Sequence, residues 1–339
     1  MSNYNAHNER IKREYFEYLV HAEGKSEATI TETNASLLRW EKFIGFTELT
    51  RLQKSAVVEF KSHLMQLRVS RTGEPLQAMS QVTIMTHLKA FYLWLSKQAA
   101  YKRHINLSYV DYFRLTANET RGARGPKLKQ GPSLAQIRMA FEAMPTETEV
   151  EMRNRAMFVM PILTGVRIHA LITLRLKHVD VENGVLFQPA KEVRTKFGKN
   201  MVSAFFPVDT VFRDAVEEWV LYLTQDKGFQ PDDPLFPAPL MAHDTNRGYY
   251  AAGVSRDFWL STSSPRMVFL EAFERVGLPR FTPHSFRCTL ALIGQERCQT
   301  PQEMKAWSQN LGHQHMLTTF TSYGTLPPEM QHRLIQAMA

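Results

Sequence analysis

The chain has 339 residues, more than one hydrophobic core usually serves, so two domains are expected. Hydrophobic residues make up 44% and charged residues 22% of the chain, which is typical of globular proteins and argues against a disordered chain. The 41 Lys and Arg residues outnumber the 33 Asp and Glu residues, and the resulting net charge of +8 favours a polyanionic partner.

The location of the protein is predicted from its apolar segments and cysteines. The longest nearly apolar run, residues 156–166, is interrupted by Pro161 and Gly165 and is shorter than the roughly 20 residues of a spanning helix, so no membrane span is expected. The N-terminal segment lacks the apolar core of a signal peptide, which predicts a cytoplasmic, nucleoid location. Cys288 and Cys298 lie in one predicted helix and fit a reducing compartment.

The first third of the chain, residues 6–112, is predicted to be almost wholly helical. Ser26 is the expected N-cap of a helix that ends near Gly45. A second helix follows at residues 55–68, and a third begins with Ser80 as its expected cap. The first of these helices has an apolar stripe that consists of Ile30, Leu37, Leu38, Trp40 and Phe43. We expect the aromatic residues of this region to pack in a core.

A segment rich in Gly and Pro, residues 116–132, separates the two halves and predicts an extended linker. Its basic residues are Arg121, Arg124, Lys127 and Lys129. Their charge would suit a chain that lies along DNA phosphates. A solubilising hinge would have the same composition, so both interpretations stay open here.

The second half is predicted to be mixed. The expected helices are residues 133–144, 149–163, 168–175, 209–223 and 265–276, with further helix starts at Thr282-Pro283 and at the capping box of Thr300 and Glu303. Two short strands are expected at residues 184–189 and 201–208, and the region between residues 223 and 265 is expected to be rich in loops. The predicted fold class is mainly α with a small antiparallel β-sheet.

Four short segments of this half carry residues suited to chemistry: "LTGVR", "VRTKFGKN", "TPHSFR" and "LGHQHMLTTFTSY". They contribute, in chain order, Arg167, Lys196, His284, Arg287, His313 and Tyr323. Taken singly, an arginine at a helix start is more often a surface charge, and a histidine on an apolar helix more often a core residue. No cysteine or clustered carboxylate stands near His313 and His315, so no metal or other cofactor is predicted.

Taken together, these segments resemble the tyrosine recombinase (phage integrase) family. That family has an Arg in a T-G-x-R segment, a Lys in a β-hairpin, an H-x-x-R pair, an L-G-H motif and a Tyr shortly after it. All five occur here in that order within residues 133–325, and the helical first half resembles the family's core-binding domain. The resemblance implies a two-domain protein. Its parts are a helical, SAM-like core-binding domain at 1–115, a basic linker at 116–132, and a catalytic domain with a C-terminal tail at 133–339.

The implied activity is that of a site-specific DNA recombinase that cuts and rejoins DNA without metal or ATP. By resemblance, Tyr323 attacks phosphorus and forms a 3′-phosphotyrosyl bond that conserves the energy of the broken linkage. Arg167 and Arg287 would fork onto nonbridging phosphate oxygens, which suits planar guanidinium groups better than lysine.

The family pattern also implies roles for the other residues. Lys196 is the expected general acid for the 5′ oxygen, although Lys191 or Lys199 could occupy the same hairpin tip. His284 is expected to accept or orient the tyrosine proton, and His313 to hydrogen-bond the phosphate.

The sequence departs from the family pattern at two points. The third residue after Arg167 is commonly acidic in the family but is Ala170 here, which removes a candidate partner for orienting His284. The interval from His313 to Tyr323 is one residue longer than its commonest form. Two other interpretations therefore stay open: a catalytically weak or inactive DNA-binding protein of the same fold, and a type IB topoisomerase-like nicking and closing enzyme.

The expected partner is double-stranded DNA at a specific recombination site. Recombination of two duplexes needs four active sites, so the resemblance implies a homotetramer on DNA. The C-terminal tail has an apolar stripe that consists of Met330, Leu334, Ile335 and Met338. We expect this stripe to pack against a neighbouring protomer, and the alternative is that it folds back on its own domain.

Overall fold

The computed structural model describes residues 4–69, 73–116, 119, 131–245, 248–313 and 328–337. Internal contacts divide the chain into two compact units, Met1–Gly125 and Pro126–Ala339. The three-part division at residues 115 and 132 stays a prediction, because most of the predicted linker lies outside the described residues. None of the helices in the described ranges is both long and apolar enough to cross a membrane.

The first unit is helical, as its sequence predicts. Its helices are α1 (Ala6–His21), α2 (Glu27–Phe43), α3 (Lys54–Gln66), α4 (Ala78–Leu95) and the short α5 (Leu107–Val110). The predicted cap of α2 is confirmed, since Ser26 accepts a hydrogen bond from the amide of Thr29. The predicted start of α4 is wrong. Ser80 already lies inside the first turn, where its amide donates to Gln77 O at 2.9 Å.

Aromatic side chains fill the core of the first unit. Trp40 is almost fully buried and donates from Nε1 to the hydroxyl of Tyr92 at 2.9 Å. Its ring meets Phe60 and Phe113 edge to face, with centroids 5.0 and 5.4 Å away. Leu38, predicted to share this core, is 38% exposed, because it points about 100° around the helix from buried Leu37.

The second unit contains α7, a helix enclosed by several others, within a larger set of helices. They are α6 (Leu134–Glu142), α7 (Glu149–Thr164), α8 (Ile168–Leu171), α9 (Thr210–Leu221), α10 (Ser263–Arg275), α11 (Phe286–Arg297), α12 (Pro301–Asn310) and α13 (Pro328–Gln336). Every residue from 156 to 164 of α7 is buried, as expected for a helix enclosed by others. The predicted helix 168–175 is too long. The chain leaves α8 after Leu171, and Leu174 and Leu176 exchange backbone hydrogen bonds with residues 233–235.

Two antiparallel sheets complete the second unit. The first has the order β1 (Val179–Asp180), β2 (Val185–Gln188) and β3 (Met201–Ala204), which confirms the predicted hairpin and the fold class. The second pairs β4 (Pro239–Asp244) with β5 (Gly248–Val254) in the region expected to be loops. That expectation was wrong because β4 and β5 lack alternating burial and carry exposed apolar residues such as Tyr249 and Leu240.

The C-terminal tail is helical in the described part, as its apolar stripe predicts. Ile335 in α13 is 62% exposed. The side chains of Met330 and Leu334 and the whole of Met338 lie outside the described residues. Packing of this tail in trans or in cis therefore stays a prediction.

A buried ion pair joins α1 to α2 in the first unit. Lys12 Nζ lies 2.7 Å from Glu41 Oε2, and the two side chains are 5% and 1% exposed. Lys12 also contacts Glu9 at 2.5 Å, whereas Glu41 Oε1 has no hydrogen-bond partner in the part of the chain that is described. Removing the Glu41 charge would leave a largely buried ammonium with one exposed partner.

We expect Glu41→Gln to lower the local free energy of unfolding of α1 and α2 by about 3 kcal/mol, because a buried charge loses its main counter-charge. Hydrogen-exchange mass spectrometry of the full chain, read on peptides from these helices, measures the change. Glu48→Gln is the matched control, since its pair with Arg51 is exposed and should contribute less than about 1 kcal/mol. Equal protection in the two variants would contradict the expectation.

Candidate active site

The first predicted arginine follows a helix end that only glycine fits well. α7 ends at Gly165, which has a φ of +68° in the left-handed region. A Cβ at this position would also lie 2.8 Å from Leu311 Cδ2 and 3.2 Å from Arg287 Nη1. The sharp turn lets Arg167 begin α8 two residues later. The T-G-x-R spacing therefore has a steric cause in this chain.

The L-G-H segment is a Schellman motif at the end of α12. Gly312 has a φ of +70°, and its amide donates to Gln309 O at 2.7 Å. The amide of His313 donates to Ser308 O at 3.1 Å, which closes the wider hydrogen-bonded loop of the motif. Leu311 is fully buried beneath the turn. The motif thus fixes the direction in which the chain leaves the helix at His313. It confirms that the helix ends just before Gly312, as the sequence predicts.

Arg287, in the first turn of α11, connects these two helix ends. Its guanidinium is 1% exposed and donates from Nη1 to Gly165 O and from Nη2 to Leu311 O, the latter at 2.6 Å. Nη2 also lies 3.0 Å from His313 Nε2. Nε is buried and has no hydrogen-bond partner within the described ranges. A buried donor of this kind costs about 1–3 kcal/mol until it finds an acceptor.

His284 lies just before α11 rather than within it. Pro283–Ser285 form a 3₁₀ turn, in which the Ser285 amide and hydroxyl both donate to Thr282 O, at 2.9 and 2.6 Å. The helix predicted to start at Thr282-Pro283 therefore begins with a 3₁₀ turn, and the α-helix itself starts only at Phe286. Thr282 makes no side-chain capping bond.

Lys196 lies in the loop between β2 and β3. It begins a short 3₁₀ turn, Lys196–Gly198, and its side chain is exposed. Lys191 and Lys199, the alternatives left open by the sequence, are exposed on the same loop. The charge of Lys196 reaches His313, as the electrostatics of that histidine show.

The predicted residues of the described chain converge on His313. The pKa of its imidazole is lowered to about 4, first by burial and then, in order of effect, by the charges of Arg287, Arg167, His284 and Lys196. His313 is therefore neutral at pH 7. Arginine can only donate, so His313 Nε2 accepts from Arg287 and the imidazole proton resides on Nδ1. A site with this charge density suits a bound polyanion.

Several predicted residues lie outside the described ranges. These are Tyr323, His315, Arg121, Arg124, Lys127 and Lys129. Ala170 is described and is 2% exposed in the hydrophobic core of the second unit. An acidic side chain at that position would be buried.

The sequence did not predict two arginines that flank the site. Burial lowers the pKa of His169 in α8, and the charges of Arg266 from α10 and Arg194 from the β2–β3 loop lower it further. The Arg194 amide donates to Thr173 Oγ1 at 3.0 Å, which holds the loop against the end of α8. No sequence signal indicated this group, because its members are brought together only by the packing of separate elements.

Comparison with known proteins gives a consistent assignment. Residues 134–326 match the Phage integrase family. The chain is 22% identical over 317 residues to the tyrosine recombinase XerC of Xylella fastidiosa (strain M23), covering 91% of this chain and 90% of that protein. It is 21% identical over 309 residues to XerC of Anoxybacillus flavithermus (strain DSM 21510 / WK1). This match covers 90% of this chain and 89% of that protein.

Two solved structures have a similar fold. A lambda integrase (75–356) dimer bound to a COC′ core site superposes with a TM-score of 0.64 at 13% identity, covering 94% of this chain and 96% of that one. XerH site-specific recombinase bound to palindromic difH substrate, in a post-cleavage complex, superposes with a TM-score of 0.61 at 17% identity. The match covers 96% of this chain and 84% of that one. At these identities the similarity shows the fold alone.

We expect the imidazole of His313 to titrate near pH 4, and Arg167→Gln to raise its pKa because one of the repelling charges is removed. Because the folded-state pKa is depressed from 6.5, His313 lowers the stability of the fold as pH falls from about 6.5 towards 4. NMR of the full chain with ¹³C-labelled histidine measures the titration, and His313→Gln assigns the signal.

Arg280→Gln serves as the control for charge removal, because Arg280 pairs with Glu274. This variant should leave the His313 titration unchanged. A His313 pKa near 6.5 in the unaltered chain would contradict the convergence of charges on this residue.

Proposed function

The chain belongs to the phage integrase family, and on this premise we propose that it is a site-specific DNA recombinase that cuts and rejoins DNA through a 3′-phosphotyrosyl intermediate. The observation that carries the proposal is that Arg287 contacts neutral His313 and that the positive charges of Arg167 and Lys196 also act on this histidine. Cationic groups at this density are the requirement for stabilising a phosphorane without a metal ion.

The two guanidinium groups supply the electrostatic stabilisation in this proposal. Negative charge on the nonbridging oxygens grows as phosphorus becomes pentacoordinate, and Arg167 and Arg287 would bind those oxygens. Arg287 is already oriented by Gly165 O and Leu311 O, so little reorganisation is needed. Its unpaired Nε would gain an acceptor when phosphate binds. Neutral His313 has one N–H to donate to the phosphate.

The nucleophile in the proposal is Tyr323, ten residues beyond His313. Its oxygen forms a bond to phosphorus while the bond from phosphorus to the 5′ oxygen breaks. His284 accepts or orients the tyrosine proton, and the Lys196 ammonium gives a proton to the departing 5′ oxygen. Rejoining reverses these steps with a 5′ hydroxyl from either strand, and the phosphotyrosyl bond supplies the energy.

The proposed partner is duplex DNA with a specific recombination site, bound by four copies of the chain when two duplexes recombine. The net charge of +8 supports a polyanionic partner. Related proteins of the same fold have been crystallised on DNA, as a dimer on a COC′ core site and on a difH substrate. We propose that the basic residues of the predicted linker contact phosphates on the same duplex. These residues are Arg121, Arg124, Lys127 and Lys129.

Covalent capture on DNA of random sequence tests the proposal, because the protein itself then selects its site. The full chain is incubated with a library of nicked random-sequence duplexes, in which cleavage next to the nick releases a short fragment and prevents rejoining. Denatured protein is then recovered and the attached DNA sequenced. We expect one common sequence attached through Tyr323, because the tyrosine remains bonded to the 3′ phosphate.

Tyr323→Phe should yield no attached DNA, because it lacks the attacking oxygen, while still binding the recovered site in a gel-shift assay. Tyr249→Phe is the matched control, since Tyr249 is 79% exposed on β5, and it should react normally. Adducts that persist in Tyr323→Phe would rule out this nucleophile. Site-specific binding without any adduct would indicate a binding-only protein, and adducts without sequence preference would indicate a topoisomerase-like enzyme.

A further inference from the structure

The loop that carries Lys196 is long and mostly exposed. It consists of residues 189–200, between the end of β2 and the start of β3, and is called here the Lys196 loop. Its base is closed by the amide of Ala190, which donates to Asn200 Oδ1 at 2.8 Å. Among the side chains described, Val193 is the one buried residue of the loop. Burial alone therefore does little to fix where the loop holds its lysine.

A carboxylate on this loop is held by three side chains from the segment that precedes β1. Glu192 Oε2 lies 2.8 Å from Lys177 Nζ, 3.2 Å from His178 Nε2 and 3.5 Å from Arg175 Nε. Asp232 completes the group, with Oδ1 2.7 Å from Lys177 Nζ. We call these five residues the anchor cluster.

The histidine of the anchor cluster has a defined orientation. His178 is 2% exposed, and its Nδ1 accepts a hydrogen bond from the amide of Arg175 at 3.0 Å. Nε2 must then carry the proton and donate it to Glu192. Burial lowers the pKa of His178, and Lys177 lowers the pKa of Glu192, so a neutral imidazole faces an ionised carboxylate at pH 7. This contact is directional, unlike a pair of mobile surface charges.

The loop is therefore held at two points on the N-terminal side of Lys196. Glu192 is bound by the anchor cluster, and the amide of Arg194 is bound by Thr173 Oγ1 at 3.0 Å. Thr173 Oγ1 in turn donates to Ala170 O at 2.9 Å, at the end of the helix that Arg167 begins. Lys196 follows the second of these points by two residues. The side-chain contacts thus relate the position of Lys196 to that of Arg167.

We propose that Glu192 is a positioning residue for Lys196, and that its contacts with Lys177 and His178 hold the loop so that the Lys196 ammonium meets the departing 5′ oxygen. The proposal rests on the proposed function, in which Lys196 is the general acid. A purely structural role for the anchor cluster would instead affect folding or DNA binding and would not depend on proton transfer.

Replacement of the leaving oxygen by sulfur separates these two roles. A thiol has a pKa of about 8.5, about seven units below that of water, so a 5′ thiolate departs without being protonated. In this reaction the tyrosine gives its proton to His284 while its oxygen bonds to phosphorus, and the bond from phosphorus to sulfur breaks with the electron pair left on sulfur. A defect in general-acid catalysis therefore disappears on the sulfur substrate, whereas a defect in folding or binding remains.

The experiment measures single-turnover cleavage by the full chain on a nicked duplex of the captured sequence, with either oxygen or sulfur at the scissile 5′ position. We expect Lys196→Ala to cleave the oxygen substrate about 10²–10⁴-fold more slowly than the unaltered chain. Glu192→Gln should cleave it about 10–100-fold more slowly, as expected for loss of a supporting contact. Both variants should cleave the sulfur substrate at close to the unaltered rate.

Two further variants make the result specific. Lys177→Gln removes a charged partner of Glu192 without altering any residue of the Lys196 loop. Like Glu192→Gln, it should cleave the oxygen substrate slowly and the sulfur substrate at close to the unaltered rate. Glu182→Gln is the matched control, because Glu182 is an exposed residue in the β1–β2 turn of the same sheet. It should cleave both substrates at the unaltered rate.

The possible failures are distinguishable. If Glu192→Gln and Lys177→Gln are slowed equally on both substrates, or on neither, the positioning role is wrong while the proposed function stands. If Lys196→Ala is not rescued by sulfur, Lys196 is not the general acid and the inference is overturned with that assignment. If the unaltered chain forms no covalent adduct with either substrate, the proposed function itself fails.

Discussion

The guanidinium of Arg287 holds the candidate site together. It is buried and donates to the carbonyl oxygens of Gly165 and Leu311, two residues that lie at the ends of different helices. Each of the two helices is followed by a glycine in the left-handed conformation. The chain turns away there, so the last carbonyl groups of each helix can accept hydrogen bonds from outside the helix. Burying an arginine is costly unless its donors are satisfied, and these contacts, with the one to His313, satisfy three of its five N–H groups. The same contacts set the spacing between Arg167 and His313.

The resulting site brings positive charge together around one histidine. The charges of Arg167, Arg287 and Lys196 act on a half-buried His313, which stays neutral as a result. In the anchor cluster, Glu192 and Asp232 pair with Lys177 and Arg175. The Lys196 loop thus carries both Glu192, a member of the anchor cluster, and Lys196, whose charge acts on His313. Positive charges that are oriented in advance suit a bound polyanion.

Much of the fold was predictable because local physics determines it. Helix caps such as Ser26, and the capping box of Thr300 and Glu303, act within one turn, and the structure confirms both. Two of the errors have a common cause. The end of α8 and the β4–β5 hairpin depend on contacts with distant segments. In the hairpin, the amide of Val254 is bound by Glu149, 105 residues away in the chain.

The order of the motifs and the identity of most candidate site residues could be predicted from the sequence, because glycine conformation and short spacings fix T-G-x-R and L-G-H locally. The mainly helical class could also be predicted, from the periodicity of apolar residues. Three features came only from the packing of the folded chain: Arg287 joins the two helix ends, His313 is neutral, and Glu192 contacts Lys177 and His178. These features depend on burial and on charges from separate elements, and neither is encoded in the spacing of residues along the chain.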